Sequence, residues 1–429
     1  MVELIVALSI FIVGFSSVIL VYGSFSPIAF YLTGVTLYFG LYWVSSLMFV
    51  SGIETNIINS ELILLYAITH IMIISICNYF FLRKTKINKN IKNLFYSSIS
   101  DIDRRVIAWI FVFVIACYVY KFSMHDTLIS GVNLRGEGDK VVSSLDLILF
   151  MFVDFFMPLL FFWSTIKLCC GKGGKTLEMI IFISLMLIAF ASGRTLFLLY
   201  FLSIILILLA YSRLNIFAYI KGLAGFLLLF LFIIGPLFFE IRLTLNNQVE
   251  SHTEGMDVAY SNNIETRMMD SIRFSDEIIS NNVIDSEFRS VYLFRVFDFI
   301  VPGVFLHDGN KKYTTEQLII KDMGGQETDE SITFLAAIVA EGNLLYFVAL
   351  PMFFVLAIAV ELLLISKLLK TYKVIALLGI SHLYLNLIMV GNDPLWYILH
   401  VRNFLFIIVF MLFFTMIKNI FKIMLKRST

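Results

Sequence analysis

The stretch AFASGRTLFLLYF, residues 189–201, sets one arginine in a run that otherwise has the composition of a membrane span. A guanidinium at the bilayer centre costs about 2.5–3.5 kcal/mol on insertion scales. Either Arg194 is not at the centre, or a useful contact offsets the cost. The apolar runs on its two sides, 177–192 and 195–211, are each short for a span, and SGRT is their only break. The pattern predicts a tight helical hairpin with Arg194 at its turn, near a membrane interface, where a charge costs less.

Working outward, the whole chain has the same character. Of 429 residues, 60% are hydrophobic and only 15% charged, with a mean hydropathy of +0.92. A soluble domain carries about 25% charged residues, so the composition points to an all-α polytopic membrane protein. The net charge of +1 names no partner and gives no basis for nucleic-acid binding. Cys77, Cys117, Cys169 and Cys170 lie in or beside apolar segments, without CxxC spacing or a disulfide framework, and read as buried thiols. The opening MVELIVALSIFIVGF has no basic n-region and no small-residue cleavage site. It reads as a first span rather than a cleaved signal peptide.

A span needs about 20 mostly apolar residues. Eleven candidates follow: 2–22, 26–50, 60–82, 106–122, 146–167, 177–192, 195–211, 222–240, 343–366, 374–390 and 401–418. They divide the chain into a first bundle of eight spans (1–240), a large polar segment (241–342), and a last bundle of three spans with a tail (343–429). The Lys/Arg bias of short loops sets orientation. The basic segments are RKTKINKNIKN with Arg104 and Arg105, KLCCGKGGK, SRLNIFAYIK, SKLLKTYK and KNIFKIMLKR. In an eleven-span chain all five fall on one side, which is then cytoplasmic. The N-terminus, the Arg194 turn, 241–342 and GNDPLWYILH fall on the other. In a bacterial inner membrane that other side is the periplasm.

Segment 241–342 is the one long polar stretch. Residues 241–331 hold sixteen Asp/Glu against eight Lys/Arg, yet arginines are set among its apolar residues, which suggests a focused cationic site rather than a general anion-attracting surface. Arg suits bidentate recognition of phosphate. Arg267 and Arg273 sit at helical spacing from Glu265, Asp270, Asp276 and Glu277 and read as ion-paired. Arg242 differs: it follows GPLFFEIR at the exit of the eighth span, near the membrane surface. Arg289 and Arg295 lie within the apolar segment EFRSVYLFRVFDFIVPGVFLH, where an unpaired charge is costly. For Arg194 the simpler alternative is a side chain snorkelling to headgroups. Gly193 and Ser192 beside it leave backbone room for an anion.

No GxSxG, HExxH or P-loop is present. No histidine pair has metal-ligand spacing on one helix, and His252, His307, His382 and His400 are scattered along the chain. No cytoplasmic stretch is long enough for a nucleotide-binding domain. An enzyme built this way needs a pre-activated substrate at the outer membrane face. Prenyl-linked pyrophosphate sugars are such substrates, and their leaving group needs cationic partners.

These features together resemble the O-antigen polymerases of the Wzy type, the oligosaccharide repeat-unit polymerases. The resemblance rests on the span count with one large outer segment in the second half and on the hairpin with SGRT at its outer turn. It rests also on DESITFLAAIVAEGNLLYFVALPMFF entering the span after that segment, and on GNDPLWYILHVRNFLF leading into the closing helices. It covers most of the chain, as topology with sparse motifs. The family's Arg-x-Gly repeats have only loose analogues here, in Arg242 with Gly255 and Arg289 with Gly303. The resemblance implies a GT-C-like fold and a membrane glycosyltransferase that moves a growing glycan from undecaprenyl pyrophosphate to a new lipid-linked repeat unit. It implies no cofactor, no metal, and a chain-length regulator as partner alongside the lipid-linked oligosaccharide and the bilayer.

On that reading Arg194, Arg242, Arg289 and Arg295 are the pyrophosphate-binding candidates. Glu341, Glu330 and His400, with Asp393 behind them, are candidates to take the acceptor hydroxyl's proton. Glu341 lies in the apolar run AAIVAEGN, where burial would raise its pKa; it can equally close a helix before Gly342. Glu330 can equally be a helix-start signal. His400 would open the last span. Asp154, inside the fifth span, is a functional candidate because intramembrane carboxylates are costly, or it pairs within the bundle. Two alternatives stand beside the polymerase. An O-antigen ligase shares topology and leaving group but takes a lipid A acceptor, and its loop histidine would be His252 or His307. A flippase or transporter would carry internal repeats and broken helices near the midplane.

Overall fold

The computed structural model describes residues 25–35, 69–77, 87–125, 144–170, 175–192, 194–211, 344–389 and 395–427, with a few isolated positions besides. Among the described residues every regular element is an α-helix, so the chain is all-α there. In chain order these are α1 (27–35), α2 (69–77), α3 (Ile87–Ser100), α4 (Arg104–His125), α5 (Ser144–Cys170), α6 (Thr176–Ser192), α7 (Arg194–Tyr211), α8 (Leu344–Thr371), α9 (Lys373–Met389) and α10 (Leu395–Arg427).

Local chemistry starts these helices where they start. Ser26 caps α1: its Oγ accepts from the Ala29 N–H at 3.0 Å, and Pro27 fills the first helical position, where no N–H is needed. Asp103 does the same for α4, its Oδ1 accepting from the Arg105 N–H at 2.9 Å. Glu178 lies in the first turn of α6, where a carboxylate suits the positive end of the helix dipole.

The core is built on α1, α5 and α9. The described residues of α1 are buried throughout, and α9 is buried from Ile375 to Met389. Gly34 lets α1 approach the α9 backbone at Ile388, where a Cβ would meet the carbonyl. Phe30 stacks on Tyr384 at 4.7 Å between ring centroids, and Phe25 meets Tyr384 edge to face. Around this core α6 packs on α5 and α7, α4 on α5, and α8 and α10 on α9.

The outer helices are apolar on their exposed faces as well. On α4, Trp109 is 74% exposed and Val106, Val112 and Val119 stand on the same side. Similar stripes run along α6 (Met179, Ile180, Ile183, Leu187), α8 (Met352, Leu356, Val360, Leu363) and α10 (Leu405, Val409, Leu412, Met416). Among the described residues two helical stretches, Met151–Cys170 and Pro351–Leu369, are long and apolar enough to cross a membrane. Thr176–Phe190, Leu196–Tyr211, Lys373–Met389 and Tyr397–Phe413 are apolar but shorter. Of the eleven expected spans, 2–22, 222–240 and most of 26–50 and 60–82 lie outside the described residues, as does the segment 241–342.

Two stretches expected as loops are helical. Residues 87–100 form α3, whose Phe95, Ser98 and Ile99 share one buried face. The last helix starts at Leu395, directly after Pro394, and runs to Arg427. His400 therefore lies in its second turn instead of opening it.

Candidate functional site

Two polar regions stand out against this apolar background. The first is the end of the bundle where the basic segments gather. The Lys92 ammonium on α3 donates to the Ala210 carbonyl at 2.6 Å and lies 5.2 Å over the Tyr211 ring. Tyr211 also stacks on Tyr96. Lys167 donates to the Ser100 carbonyl at 3.1 Å, and Lys175 to the Leu168 carbonyl at 2.9 Å. In each case a lysine meets a carbonyl at or near the C-terminal end of a helix, where the dipole is negative. Arg104 pairs with Glu178 at 2.6 Å and Lys373 with Asp101 at 3.4 Å. Burial pulls Lys92 below the ordinary lysine range, with Cys170 nearby acting in the opposite sense. These bonds bring residues 87–105, 167–170, Lys175 and Lys373, and the end of α7, to one end of the helices.

Since α6 and α7 pack together and their Thr176 and Tyr211 ends lie at this basic end, the break between them lies at the other. Residue 194 is the first helical residue of α7, one position after the α6–α7 break. Seventeen residues of helix separate that turn from the basic end, roughly 26 Å. A cationic residue in the first turn of a helix opposes the macrodipole, so helix stability does not explain an arginine at this position.

The second region lies part-way along α8, α9 and α10. His382 and His400 are buried, and their Nδ1 atoms are 2.6 Å apart. His400 Nε2 is 2.5 Å from Glu361 Oε1, and the Tyr397 hydroxyl donates to Glu361 Oε2 at 3.0 Å. Asn386 Nδ2 donates to the His382 carbonyl at 2.8 Å and lies 3.1 Å from His382 Nδ1. Phe155 of α5 stacks on His382 at 3.9 Å between centroids, and Phe404 lies nearly parallel to His400 at 5.9 Å. Gly379 makes room for Phe404, whose ring occupies the place a Cβ would take. The network sits nine residues from the start of α9, roughly 13 Å from the basic end.

The structure brings His400 together with two groups outside the predicted set. His382 and His400 were scattered in sequence; across α9 and α10 they are hydrogen-bonded neighbours. Glu361 lay in the apolar run AIAVELLLIS, and the criterion applied to Asp154 applies equally to it. No sequence signal linked His382 to a position eighteen residues later on another helix. His400 has 0% exposure and both ring nitrogens engaged by protein groups, so in this state it does not reach a substrate at an outer surface. Asp154 is exposed on α5, one residue before Phe155, and its charge bears on Tyr200 of α7. Arg242, Arg289, Arg295, Glu330, Glu341 and Asp393 lie outside the described residues. Among the described residues no three histidine, cysteine or carboxylate side chains group as metal ligands. No family model, no curated protein and no solved structure matches this chain.

Proposed function

We propose that this chain is a multi-span membrane glycosyltransferase of the inner membrane. It polymerises undecaprenyl-pyrophosphate-linked oligosaccharide repeat units into O-antigen or a similar surface polysaccharide on the side away from its basic end. Membrane embedding is supported by the apolar stripes on α4, α6, α8 and α10: helices apolar all round, yet exposed, need a lipid solvent. Orientation follows from the clustered basic segments, which belong in the cytoplasm by the positive-inside rule. The observation that carries the chemistry is the position of Arg194, an arginine heading α7 at the end opposite those segments. There the guanidinium and the helix N-terminus would hold the leaving pyrophosphate together, with Arg242, Arg289 and Arg295 as further cations on the same side. Glu341, Glu330 and His400 remain the proposed proton acceptors, His400 only after α10 moves. A chain-length regulator is the proposed protein partner.

One observation favours a second reading. A buried imidazole–carboxylate chain part-way along the bundle is the kind of group that proton-coupled transporters place on their pathway. A lipid-linked oligosaccharide flippase would therefore also account for His382, His400 and Glu361. Deletion of the chain separates the two. Loss of a polymerase leaves single repeat units on the cell surface and no long glycan, read as the collapse of the ladder on a glycan gel to one band. A deletion strain, ligase intact, with no surface repeat unit at all would overturn the polymerase in favour of transport or ligation.

A further inference from the structure

We infer that Asp154 belongs to the Arg194 site, where it takes the proton of the acceptor hydroxyl. Its placement follows from helix register. Helices α5 and α7 pack together and both run toward the basic end. There the Cys170 thiol donates to the Tyr211 carbonyl at 3.7 Å. Further along, Phe161 stacks on Tyr200 at 4.3 Å between centroids, the rings 8° from parallel. Helix α5 is continuous through Pro158. At 1.5 Å per residue Asp154, sixteen positions before Cys170, stands roughly 24 Å from that end, and residue 194, seventeen positions before Tyr211, roughly 26 Å. The two positions are level.

Asp154 also shares the face of α5 that meets α7. It precedes Phe161 by seven residues, two turns, so both stand on one side of the helix. Phe161 stacks on Tyr200 of α7 and on Phe182 of α6, which fixes the direction of that side. The Asp154 charge acts on Tyr200 across the same seam. Tyr200 is fully buried, and its hydroxyl has no hydrogen-bond partner among the described residues. Helical side chains lean toward the helix N-terminus, which for α7 is the outer end. Buried hydroxyls normally have partners, so this one points to a polar ligand entering the seam beside Asp154. The other carboxylate positions among the described residues lie elsewhere. Asp101, Asp103 and Glu178 are at the basic end, Glu361 is engaged by His400 and Tyr397, and Asp146 stands eight residues further out on α5. Asp154 is exposed, so a ligand meets it without the movement that His400 needs.

The role rests on the proposed transferase reading, whereas the placement does not. Neighbouring helix axes lie about 8–10 Å apart, which leaves room for a sugar carbon and its attacking hydroxyl between a pyrophosphate at residue 194 and the Asp154 carboxylate. As the acceptor oxygen bonds to that carbon, its proton passes to the carboxylate. The bond from the carbon to the pyrophosphate oxygen breaks, and its electron pair leaves with the pyrophosphate. The proton on Asp154 then returns to water.

The test has two arms, both on the full chain in membranes. For placement, the four cysteines are replaced by alanine and cysteine pairs are joined with a short bis-maleimide. Leu196 lies one turn before Tyr200, so Asp154→Cys with Leu196→Cys is expected to join, as is the control pair Phe161→Cys with Tyr200→Cys. Asp154→Cys with Leu209→Cys, near the basic end, is expected not to. A control pair that joins while the Asp154–Leu196 pair does not would overturn the placement. For the role, variants are expressed in deletion cells whose glycan ladder the parent chain restores. Asp154→Asn at parental membrane levels is expected to lower polymer about 100-fold or more. If it fails to reach the membrane, Asp154→Ser is read the same way. A full ladder from either variant would overturn the role alone. A parent chain that restores no ladder would sink the transferase reading and the role with it, and the joined pair would still report where Asp154 stands.

Discussion

The basic end and the buried network handle charge in opposite ways. At the basic end charges are many, partly exposed and singly replaceable: Lys92, Lys167 and Lys175 each meet one carbonyl, and Lys373 and Asp101 pair in the open. Solvent screens such contacts, and each contributes little. In the network charges are few, buried and mutually dependent. Glu361 holds both Tyr397 and His400, and His400 holds His382. Position along the helix decides which regime applies. A cation at a helix end can reach water and carbonyls together, while an imidazole part-way along has only its neighbours. The first region therefore reads as helix capping, the second as a site kept despite its cost.

The sharpest way to break this contrast is to remove one partner from the network. Glu361→Ala leaves the buried His400 ring nitrogen without its carboxylate partner in an apolar setting. Breaking a buried pair from one side costs about 3–5 kcal/mol. We expect a large fall in the thermal unfolding midpoint of the detergent-purified protein. The double variant Glu361→Leu with His400→Leu should recover most of it, since replacing both partners by apolar groups leaves neither unpaired. A single Glu361→Ala variant as stable as the parent would place the network in the same weak regime as the basic end.

A much smaller effect belongs to Lys92→Met at that end. The stem still packs against Tyr211, but the bond to the Ala210 carbonyl is lost, at a cost of about 0.3–1 kcal/mol. The same unfolding assay should register a shift near its error. A loss comparable with that of Glu361→Ala would mean that α3 is a keystone of the fold, and the contrast would fail.

How much of this could be read from sequence follows the same physics. Helical runs such as 177–192 and 195–211 were legible because apolar length and one break, SGRT, suffice to mark them. The helix at 87–100 was hidden by its lysines and asparagines, which mark a basic loop equally well; only its Phe95–Ser98–Ile99 spacing betrayed a buried face. The start of α10 was missed because Trp396 and Tyr397 follow the turn residues GNDP and read as part of the loop. The Arg194 break was legible because a charge amid apolar residues is conspicuous. The His382–His400 pair was not, since its partners sit on separate helices and no spacing rule joins them. Glu361 was legible in principle, as an acid inside an apolar run, by the rule that drew attention to Asp154.

The central claim, that the end opposite the basic segments carries the chemistry through Arg194, is tested most directly by two substitutions there, read as a glycan ladder beside a membrane immunoblot. Arg194→Ala removes the charge and the planar fork; Arg194→Lys keeps the charge but loses the fork that grips two phosphate oxygens. If Arg194 binds pyrophosphate, both variants reach the membrane at normal levels, the alanine variant makes no polymer, and the lysine variant makes little. A full ladder from Arg194→Ala at normal expression would contradict the claim and leave Arg194 as a side chain reaching for headgroups.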